Sequence, residues 1–331
     1  MKRTTILALA AALALAGADN KPQQALGSVN GREITEEHIR QKATGVLARL
    51  ETQMYQVRKQ ALNAVVADFL LEEQAKKEGM TVDQLMKRDI EAKAGAVTDA
   101  EVEKFYEDRR AQIQKPIDEV RPQIVEAIRG NRVAMLRADY VKKLRESARV
   151  HSSLEPPIVT VPVDGQKAFA RGNPRAPVTI VEFSDYTCGY CAKAETELAR
   201  LQEIYKDKIQ LILKDYPRMG AAEKPLQAAR CAGEQGKQAE YHRALFANQK
   251  TLGQPETLKK LAGEVGLDAA RFAACLDEGR YAAQVRKDKE DGDRAGVSGT
   301  PTFFINGRML QGAQPLAAFR EVIDELIQGT K

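Results

Sequence analysis

Residues 178–191 read VTIVEFSDYTCGYC, an apolar run followed by two cysteines separated by two residues. The run up to Phe183 is rich in β-branched residues and predicts a buried strand. After Cys191, the apolar residues Ala194, Leu198 and Leu201 recur at helical spacing. The pattern therefore predicts that Cys188 lies where a strand meets the N-terminus of a helix.

This position favours redox chemistry for Cys188 and Cys191. The free N–H groups and the dipole at a helix N-terminus stabilise a thiolate, which is the species that attacks disulfides. The alternative is half of a structural zinc site, which would need two further ligands nearby. Cys231 and Cys275 are isolated, and the three histidines show no paired spacing. We expect a redox-active cysteine pair with no metal and no cofactor beyond its own disulfide.

The first 18 residues have the pattern of a cleaved signal peptide. Lys2 and Arg3 are followed by an apolar run from Ile6 to Ala16 and by small residues suited to cleavage. The run is too short to span a bilayer, and Ala18 stands where a lipoprotein would need cysteine. We expect export to the periplasm, whose oxidising conditions suit disulfide chemistry. The alternative is an uncleaved N-terminal anchor.

Length and charge narrow the possible functions. The chain has 331 residues, which is typical of about two domains. Its 51 basic and 46 acidic residues are interspersed, and no basic tract follows the pattern of a phosphate-binding surface. We therefore expect no nucleic-acid partner.

A boundary is predicted at residues 150–165, where prolines, a glycine and small polar residues interrupt helical periodicity. Residues 19–149 show helical periodicity and short turns, whereas residues 166–331 mix strand and helix patterns. The sequence thus predicts an all-α N-terminal domain, a linker and an α/β C-terminal domain. All four cysteines lie in the last of these.

Helix signals are clear in the N-terminal domain. Thr81 with Gln84, and Thr98 with Glu101, have the spacing of capping boxes. The first long helix carries an apolar series with coiled-coil spacing: Ala43, Leu47, Leu50, Met54, Val57 and Ala61. Packing within the chain would explain this series equally well. Its functional interpretation is self-association that joins two or more copies of the chain.

Three segments of this domain resemble the N-terminal chaperone domain of the SurA and PrsA type. They are Val29–Thr35, Leu70–Gly79 and Val97–Tyr106, and the segment Ile117–Ile124 is also similar. The resemblance implies binding of unfolded or partly folded protein. It does not imply proline isomerisation, because no stretch is long enough for a parvulin domain.

The C-terminal domain resembles DsbA-like thioredoxin-fold proteins from about residue 172 to residue 327. The matching segments are Ala176–Cys191, Tyr241–Phe246 and Gly296–Gly307. The resemblance implies a thioredoxin fold with an inserted helical subdomain. The residues themselves predict a second core strand at Ile209–Leu213 and a hairpin turn at Asn306–Gly307.

The resemblance also implies roles for residues around the cysteine pair. Pro301 is expected to be a cis-proline that faces the pair, with the Thr300 backbone, Gly189 and Tyr190 contacting an extended substrate. From the residues alone, the favoured interpretation of Pro301 is an edge strand or the start of a strand.

Glu182 is a candidate proton acceptor for Cys191. It lies six residues before Cys188, and the thioredoxin fold has an acidic residue at this offset. Burial would raise the pKa of its carboxyl toward the value that this role needs. The alternative is a solvated or paired carboxylate at a strand end, and Lys214 is the expected partner.

Cys231 and Cys275 lie in alanine-rich segments that predict closely packed helices. In an oxidising compartment we expect a structural disulfide between them, which would stabilise the fold by about 4 kcal/mol. The alternative is two buried free thiols.

These features predict thiol–disulfide exchange on protein substrates. Cys188 would form a mixed disulfide, which a substrate thiol or Cys191 then resolves. The Gly189–Tyr190 pair and the Thr300 that precedes Pro301 match the DsbC-type isomerase pattern. The expectation is a disulfide isomerase or reductase with chaperone character. The alternatives are a DsbA-like dithiol oxidase and a holdase that uses the thioredoxin domain for binding.

The expected partners follow from this function. They are unfolded or misoxidised periplasmic proteins, a membrane redox partner that resets the active-site cysteines, and further copies of the chain bound through the N-terminal domain.

Overall fold

The computed structural model describes residues 25–163, 169–218 and 220–329. The predicted signal peptide, residues 1–18, lies outside the described residues, as do residues 19–24 and the last two residues of the predicted linker. Within the described ranges, no helix has both the length and the apolar character needed to cross a membrane.

The chain forms two compact units. One contains the residues up to Glu51 together with those from Pro157 onward, and the other contains Thr52–Pro156. The unit that contains Pro157 and the residues after it is called the C-terminal unit. This division differs from the predicted boundaries, because the start of the predicted N-terminal domain belongs to the C-terminal unit.

The first unit begins with a short hairpin of β1 (Gly27–Val29) and β2 (Arg32–Ile34). Helix α1 (Glu36–Lys77) follows and is kinked at Ala43, which has φ −112° and ψ 17°. The predicted apolar series therefore begins at a break in the helix rather than within a regular turn.

The start of α1 packs closely on the C-terminal unit at two glycines, Gly45 and Gly296. A Cβ atom at Gly45 would lie 1.9 Å from the carbonyl oxygen of Asp293. A Cβ atom at Gly296, where φ is +88°, would lie 2.5 Å from the carbonyl oxygen of Gly45. The two backbones approach this closely only because neither glycine has a side chain.

The second unit contains the rest of α1 with α2 (Val82–Asp89), α3 (Asp99–Arg109) and α4 (Ile117–Ser147). Both predicted capping boxes are present, one at the start of α2 and one at the start of α3. The small core contains Leu71 and Leu85. Residues 36–147 are helical apart from turns, as the sequence predicts.

Within the described residues, five strands of the C-terminal unit form one sheet in the order β3-β5-β4-β6-β7. Strands β4 and β5 are parallel, and the other neighbours are antiparallel. The strands are β3 (Phe169–Gly172), β4 (Val178–Ser184), β5 (Ile209–Asp215), β6 (Thr302–Ile305) and β7 (Arg308–Gln311).

Helices cover the sheet on both faces. Helices α5 (Gly189–Tyr205) and α11 (Leu316–Gly329) contribute to the core that contains Ile180 and Phe303. On the other face, Val159 and Val161 pack against a cluster that includes Phe183, and the Val159 amide donates to the Gly307 carbonyl at 2.9 Å. Part of the predicted linker is therefore packed against the sheet.

Among the described residues between β5 and β6, five α-helices form an insertion. They are α6 (Glu223–Gly233), α7 (Gln238–Ala247), α8 (Pro255–Glu264), α9 (Ala269–Asp277) and α10 (Ala282–Ala295). A disulfide between Cys231 and Cys275 joins α6 to α9 with an S–S distance of 2.01 Å. The prediction of an α/β fold with a helical insertion, preceded by a helical region, is confirmed.

Candidate active site

Cys188 is the N-cap residue of α5, directly after the loop that follows β4. The Cys188 amide donates to the Asp185 carbonyl at 3.0 Å. The Asp185 carboxylate in turn accepts from the Thr187 amide at 2.8 Å and from the Arg218 amide at 3.1 Å. These bonds hold the loop, so the cysteine pair has the position that the strand and helix pattern predicts. The part played by Asp185 was not predicted.

The Cys188 sulfur lies against the Thr300–Pro301 peptide bond, which is cis. Its Sγ atom is 3.4 Å from the Thr300 carbonyl oxygen. A hydrogen bond from Cys191, with contributions from Thr300 and from the first amides of α5, lowers the pKa of Cys188 to about 5, although Cys188 is buried. At neutral pH this sulfur is a thiolate.

Cys191 has the opposite properties. Its side chain is fully buried in the first turn of α5. Burial raises the pKa of the Cys191 thiol, and the nearby Cys188 and Glu182 raise it further. Cys191 therefore carries its proton at neutral pH and needs a proton acceptor before it can act as a nucleophile.

Glu182 lies on β4 and is only 3% exposed. Burial, and then the negative charge of Glu195, raise the pKa of Glu182 to about 8, while Ser184 and Arg171 oppose the shift. Its Oε1 atom has no hydrogen-bond partner among the described residues. A carboxyl with this pKa exchanges protons near neutral pH, as the predicted role of proton acceptor requires.

A second group of polar side chains, partly buried, lies beside Glu182. Arg171 forms two hydrogen bonds with the Glu195 carboxylate, at 2.9 and 3.1 Å. His242 Nε2 lies 3.2 Å from Glu195, and the Tyr186 hydroxyl lies 2.9 Å from His242 Nδ1. Although burial raises the pKa of Glu195, His242 and Arg171 more than offset this and lower it to about 2.

The sequence did not reveal this group. Its members come from β3, α5 and α7, and their separation along the chain hides their contact. The only available signal was the position of Glu195, one helical turn after Cys191.

Gln249 connects the helical insertion to the active-site loop. Its side-chain amide donates to the Tyr186 carbonyl at 2.8 Å and to the Cys188 carbonyl at 2.9 Å. The sequence offered no signal for this residue, because it lies in a short 3-10 turn about 60 residues from the loop it contacts.

The predicted pairing of Lys214 with Glu182 is wrong. Lys214 Nζ lies 2.6 Å from Asp291 and 3.2 Å from Asp288. In the register between β4 and β5, Lys214 is opposite Phe183, whereas Glu182 is opposite Leu213. Opposed residues share a face of a sheet, so Lys214 and Glu182 point to opposite faces.

Gly189 and Tyr190 lie at the surface beside Cys188. Tyr190 is 63% exposed, and the Lys193 ammonium lies 5.3 Å from the centre of its ring. Thr300 is 8% exposed and Pro301 is buried, with the Thr300 carbonyl against the Cys188 sulfur. Contact of these four residues with a substrate chain stays a prediction. In residues 25–163, 169–218 and 220–329, no three histidine, cysteine or acidic side chains are grouped to hold a metal ion.

Residues 165–325 match the family model described as Thioredoxin. The C-terminal half has a thioredoxin-like fold with a helical insertion.

The curated relatives are longer proteins. The chain is 35% identical over 174 residues to "Na(+)/H(+) antiporter NhaA 1" of Salinispora arenicola, and 30% identical over 176 residues to "Na(+)/H(+) antiporter NhaA" of Herminiimonas arsenicoxydans. These matches cover 52% and 53% of this chain. The chain spans only 26% and 28% of the length of those relatives.

Solved structures also match about half of the chain. BdbD from Bacillus subtilis is 22% identical, with a TM-score of 0.47, and the match covers 53% of this chain and 99% of that one. A thioredoxin-like oxidoreductase from Silicibacter pomeroyi is 26% identical, with a TM-score of 0.45 and coverage of 50% and 95%.

Proposed function

We propose that this chain catalyses thiol–disulfide exchange on protein substrates through a mixed disulfide at Cys188. The observation that carries the proposal is the contrast between the two cysteines. Cys188 has a pKa of about 5 and lies against the cis Thr300–Pro301 bond, whereas Cys191 is a buried thiol with a raised pKa. One sulfur is therefore ready to attack a substrate disulfide, and the other reacts only after it loses a proton.

The same contrast favours disulfide isomerisation. A thiol of low pKa is a good leaving group, so Cys188 is readily displaced by a substrate thiol. Cys191 is slow to compete because it holds its proton, and the mixed disulfide has time to rearrange. A stabilised Cys188 thiolate also makes reduction of substrates less favourable. We therefore propose a disulfide isomerase with chaperone character, and favour it over a reductase.

A dithiol oxidase is the second candidate. Because a low pKa at Cys188 stabilises the reduced form, the disulfide of this pair tends to pass to substrates. In this case Cys191 would serve mainly to form the Cys188–Cys191 disulfide that the enzyme donates.

Ribonuclease with scrambled disulfides distinguishes these candidates. We expect the enzyme to restore activity to scrambled ribonuclease in a glutathione buffer, and Cys188→Ser to abolish this. Efficient oxidation of reduced ribonuclease without recovery of the scrambled form would contradict the isomerase and support the oxidase.

We also propose that the helical N-terminal domain, residues 19–149, is a SurA-like module that binds unfolded protein as a chaperone and joins copies of the chain. Support comes from large apolar side chains that this domain exposes: Met54 (57%), Val57 (66%), Phe69 (61%) and Met135 (70%). If the chain is mainly a holdase, Cys188→Ser retains full function in cells. Light scattering tests self-association, and a monomeric wild-type chain would contradict it.

The remaining features of the proposal follow from the sequence. The chain would act in the periplasm after removal of residues 1–18, on unfolded or misoxidised proteins. A membrane redox partner would reset Cys188 and Cys191, and no cofactor beyond their disulfide would be needed. Cell fractionation with N-terminal sequencing tests the location, and a cytoplasmic, uncleaved chain would contradict it.

A further inference from the structure

Ser184 occupies a position between the buried acid and the resolving cysteine. It is the last residue of β4 and is 2% exposed. Because alternate residues of a strand point to the same face, Ser184 shares a face with Glu182 and Ile180. Ile180 belongs to the core cluster that contains Leu198 of α5. The Ser184 side chain is therefore on the face that α5 covers, and α5 carries Cys191.

The order along the strand places Ser184 nearer to the cysteine pair than Glu182. Strand β4 ends at Ser184, and the loop of residues 185–187 leads directly to Cys188 and the first turn of α5. Cys191 lies in that turn. On this face of β4, Ser184 therefore lies between Glu182 and the active-site loop.

The polar atoms along this path are buried and incompletely bonded. Glu182 Oε1 and Ser184 Oγ have no partner at hydrogen-bond geometry among the described residues. Burial raises the pKa of Glu182 and of Cys191, and the Ser184 hydroxyl opposes the rise in both. The hydroxyl is therefore close to both groups. Buried polar atoms without hydrogen-bond partners lower the stability of the folded protein. A role in proton transfer would explain why such atoms are retained here.

We propose that Ser184 relays a proton from Cys191 to Glu182 when the mixed disulfide is resolved, an inference that rests on the proposed exchange function. The Cys191 thiol proton passes to Ser184 Oγ, while the Ser184 hydroxyl proton passes to the ionised Glu182 carboxylate. The Cys191 sulfur then attacks the Cys188 sulfur. The Cys188–Cys191 bond forms, the bond from Cys188 to the substrate sulfur breaks, and the substrate leaves as a thiolate.

A hydroxyl suits this role because it donates and accepts a hydrogen bond at the same atom. The relay also controls the outcome of the reaction. It sets the rate at which Cys191 resolves the mixed disulfide, and thus how long a substrate thiol has to rearrange it.

A matched pair of variants tests the role of the Ser184 hydroxyl. Ser184→Thr keeps a hydroxyl at this position, and Ser184→Val has a methyl group in its place with nearly the same side-chain shape. The probe is the mixed disulfide between Cys188 and glutathione, and its resolution is followed by rapid acid quench from about pH 6 to 9.5. We expect the Val variant to resolve about tenfold or more slowly than the Thr variant at about pH 7 to 8, where a growing fraction of Glu182 is ionised and can accept the proton. The gap should close at higher pH, where hydroxide removes the Cys191 proton directly, and it should vanish when both variants also carry Glu182→Gln.

The outcomes separate the relay from the function on which it rests. A mixed disulfide that forms normally and resolves equally fast in both variants would overturn the relay alone. If Cys188 forms no mixed disulfide in any variant, the exchange function is overturned and the relay with it. If the Val variant does not fold, as judged by circular dichroism, the wild-type chain and Ser184→Ala provide the same comparison.

Discussion

The reactivity of Cys188 depends on hydrogen bonds to its sulfur more than on any neighbouring cation. The largest contribution to its low pKa comes from Cys191. We expect the thiolate absorbance of the reduced enzyme at 240 nm to titrate with a midpoint near pH 5. Cys191→Ala should shift the midpoint upward. A midpoint near the ordinary thiol value of 9.0 in the wild-type chain would contradict the description of the site.

Glu182 should destabilise the native state as pH rises. Its pKa is about 8 in the folded protein and 4.5 ordinarily, so between these values the unfolded chain releases a proton that the native chain retains. Stability is therefore lost from pH 4.5 to pH 8. We expect Glu182→Gln to remove this loss and to stabilise the reduced protein by roughly 4 kcal/mol at pH 8.

Urea unfolding at pH 4.5 and pH 8 measures this effect. The stabilisation should be small at pH 4.5, where Glu182 is protonated in nearly all folded chains and in about half of the unfolded chains. An equal effect of the substitution at both pH values would show that the Glu182 carboxyl is not held neutral by burial.

At the scale of elements, local patterns in the sequence were sufficient to predict the strand, loop and helix around Cys188. These elements depend on apolar periodicity and on residues that are adjacent in the chain. The register between strands could not be predicted from local patterns, and because of that register Lys214 and Glu182 face opposite sides of the sheet. The contact between Arg171, Glu195 and His242 was hidden for the same reason, since the sheet and the insertion bring these residues together.

The helical insertion should influence the nucleophile through Gln249. Gln249→Ala removes two donors from the carbonyls beside Cys188, which leaves more negative potential near the thiolate. The pKa of Cys188 should therefore rise, by at most about one unit, because Gln249 bonds the carbonyls and not the sulfur, and a neutral hydrogen bond contributes only about 0.5–1.5 kcal/mol.

Titration at 240 nm tests this prediction. The matched control is Gln235→Ala, because Gln235 also donates to a backbone carbonyl of the insertion, that of Asp268, but does not contact the active-site loop in any described hydrogen bond. Equal shifts in the two variants would indicate a general loosening of the insertion rather than a specific effect of Gln249.

At the scale of the whole molecule, the division into units differs from the division that the sequence predicts. Composition predicts a linker at residues 150–165, and the two units part at Pro157. The packing of the start of α1 on the C-terminal unit depends instead on backbone contact at Gly45 and Gly296. Contact of this kind leaves no periodic signal in the sequence.

Substitution at Gly45 tests this packing. A Cβ atom there would overlap the Asp293 carbonyl, so we expect Gly45→Ala to destabilise the protein by roughly 1–3 kcal/mol. Gly130 in α4 is the matched control, because a Cβ atom there meets no described atom within 4 Å. Gly130→Ala should be neutral or slightly stabilising, as expected for alanine in a helix. Equal effects on thermal unfolding would contradict the packing.

The central claim is that catalysis proceeds through a mixed disulfide at Cys188. Its most direct test uses Cys191→Ser, which cannot resolve that intermediate, incubated with scrambled ribonuclease and examined by non-reducing mass spectrometry. We predict an adduct of one substrate chain on the peptide that contains Cys188, and its loss in the Cys188→Ser, Cys191→Ser double variant. If no adduct forms, or if the adduct persists in the double variant, the claim is contradicted.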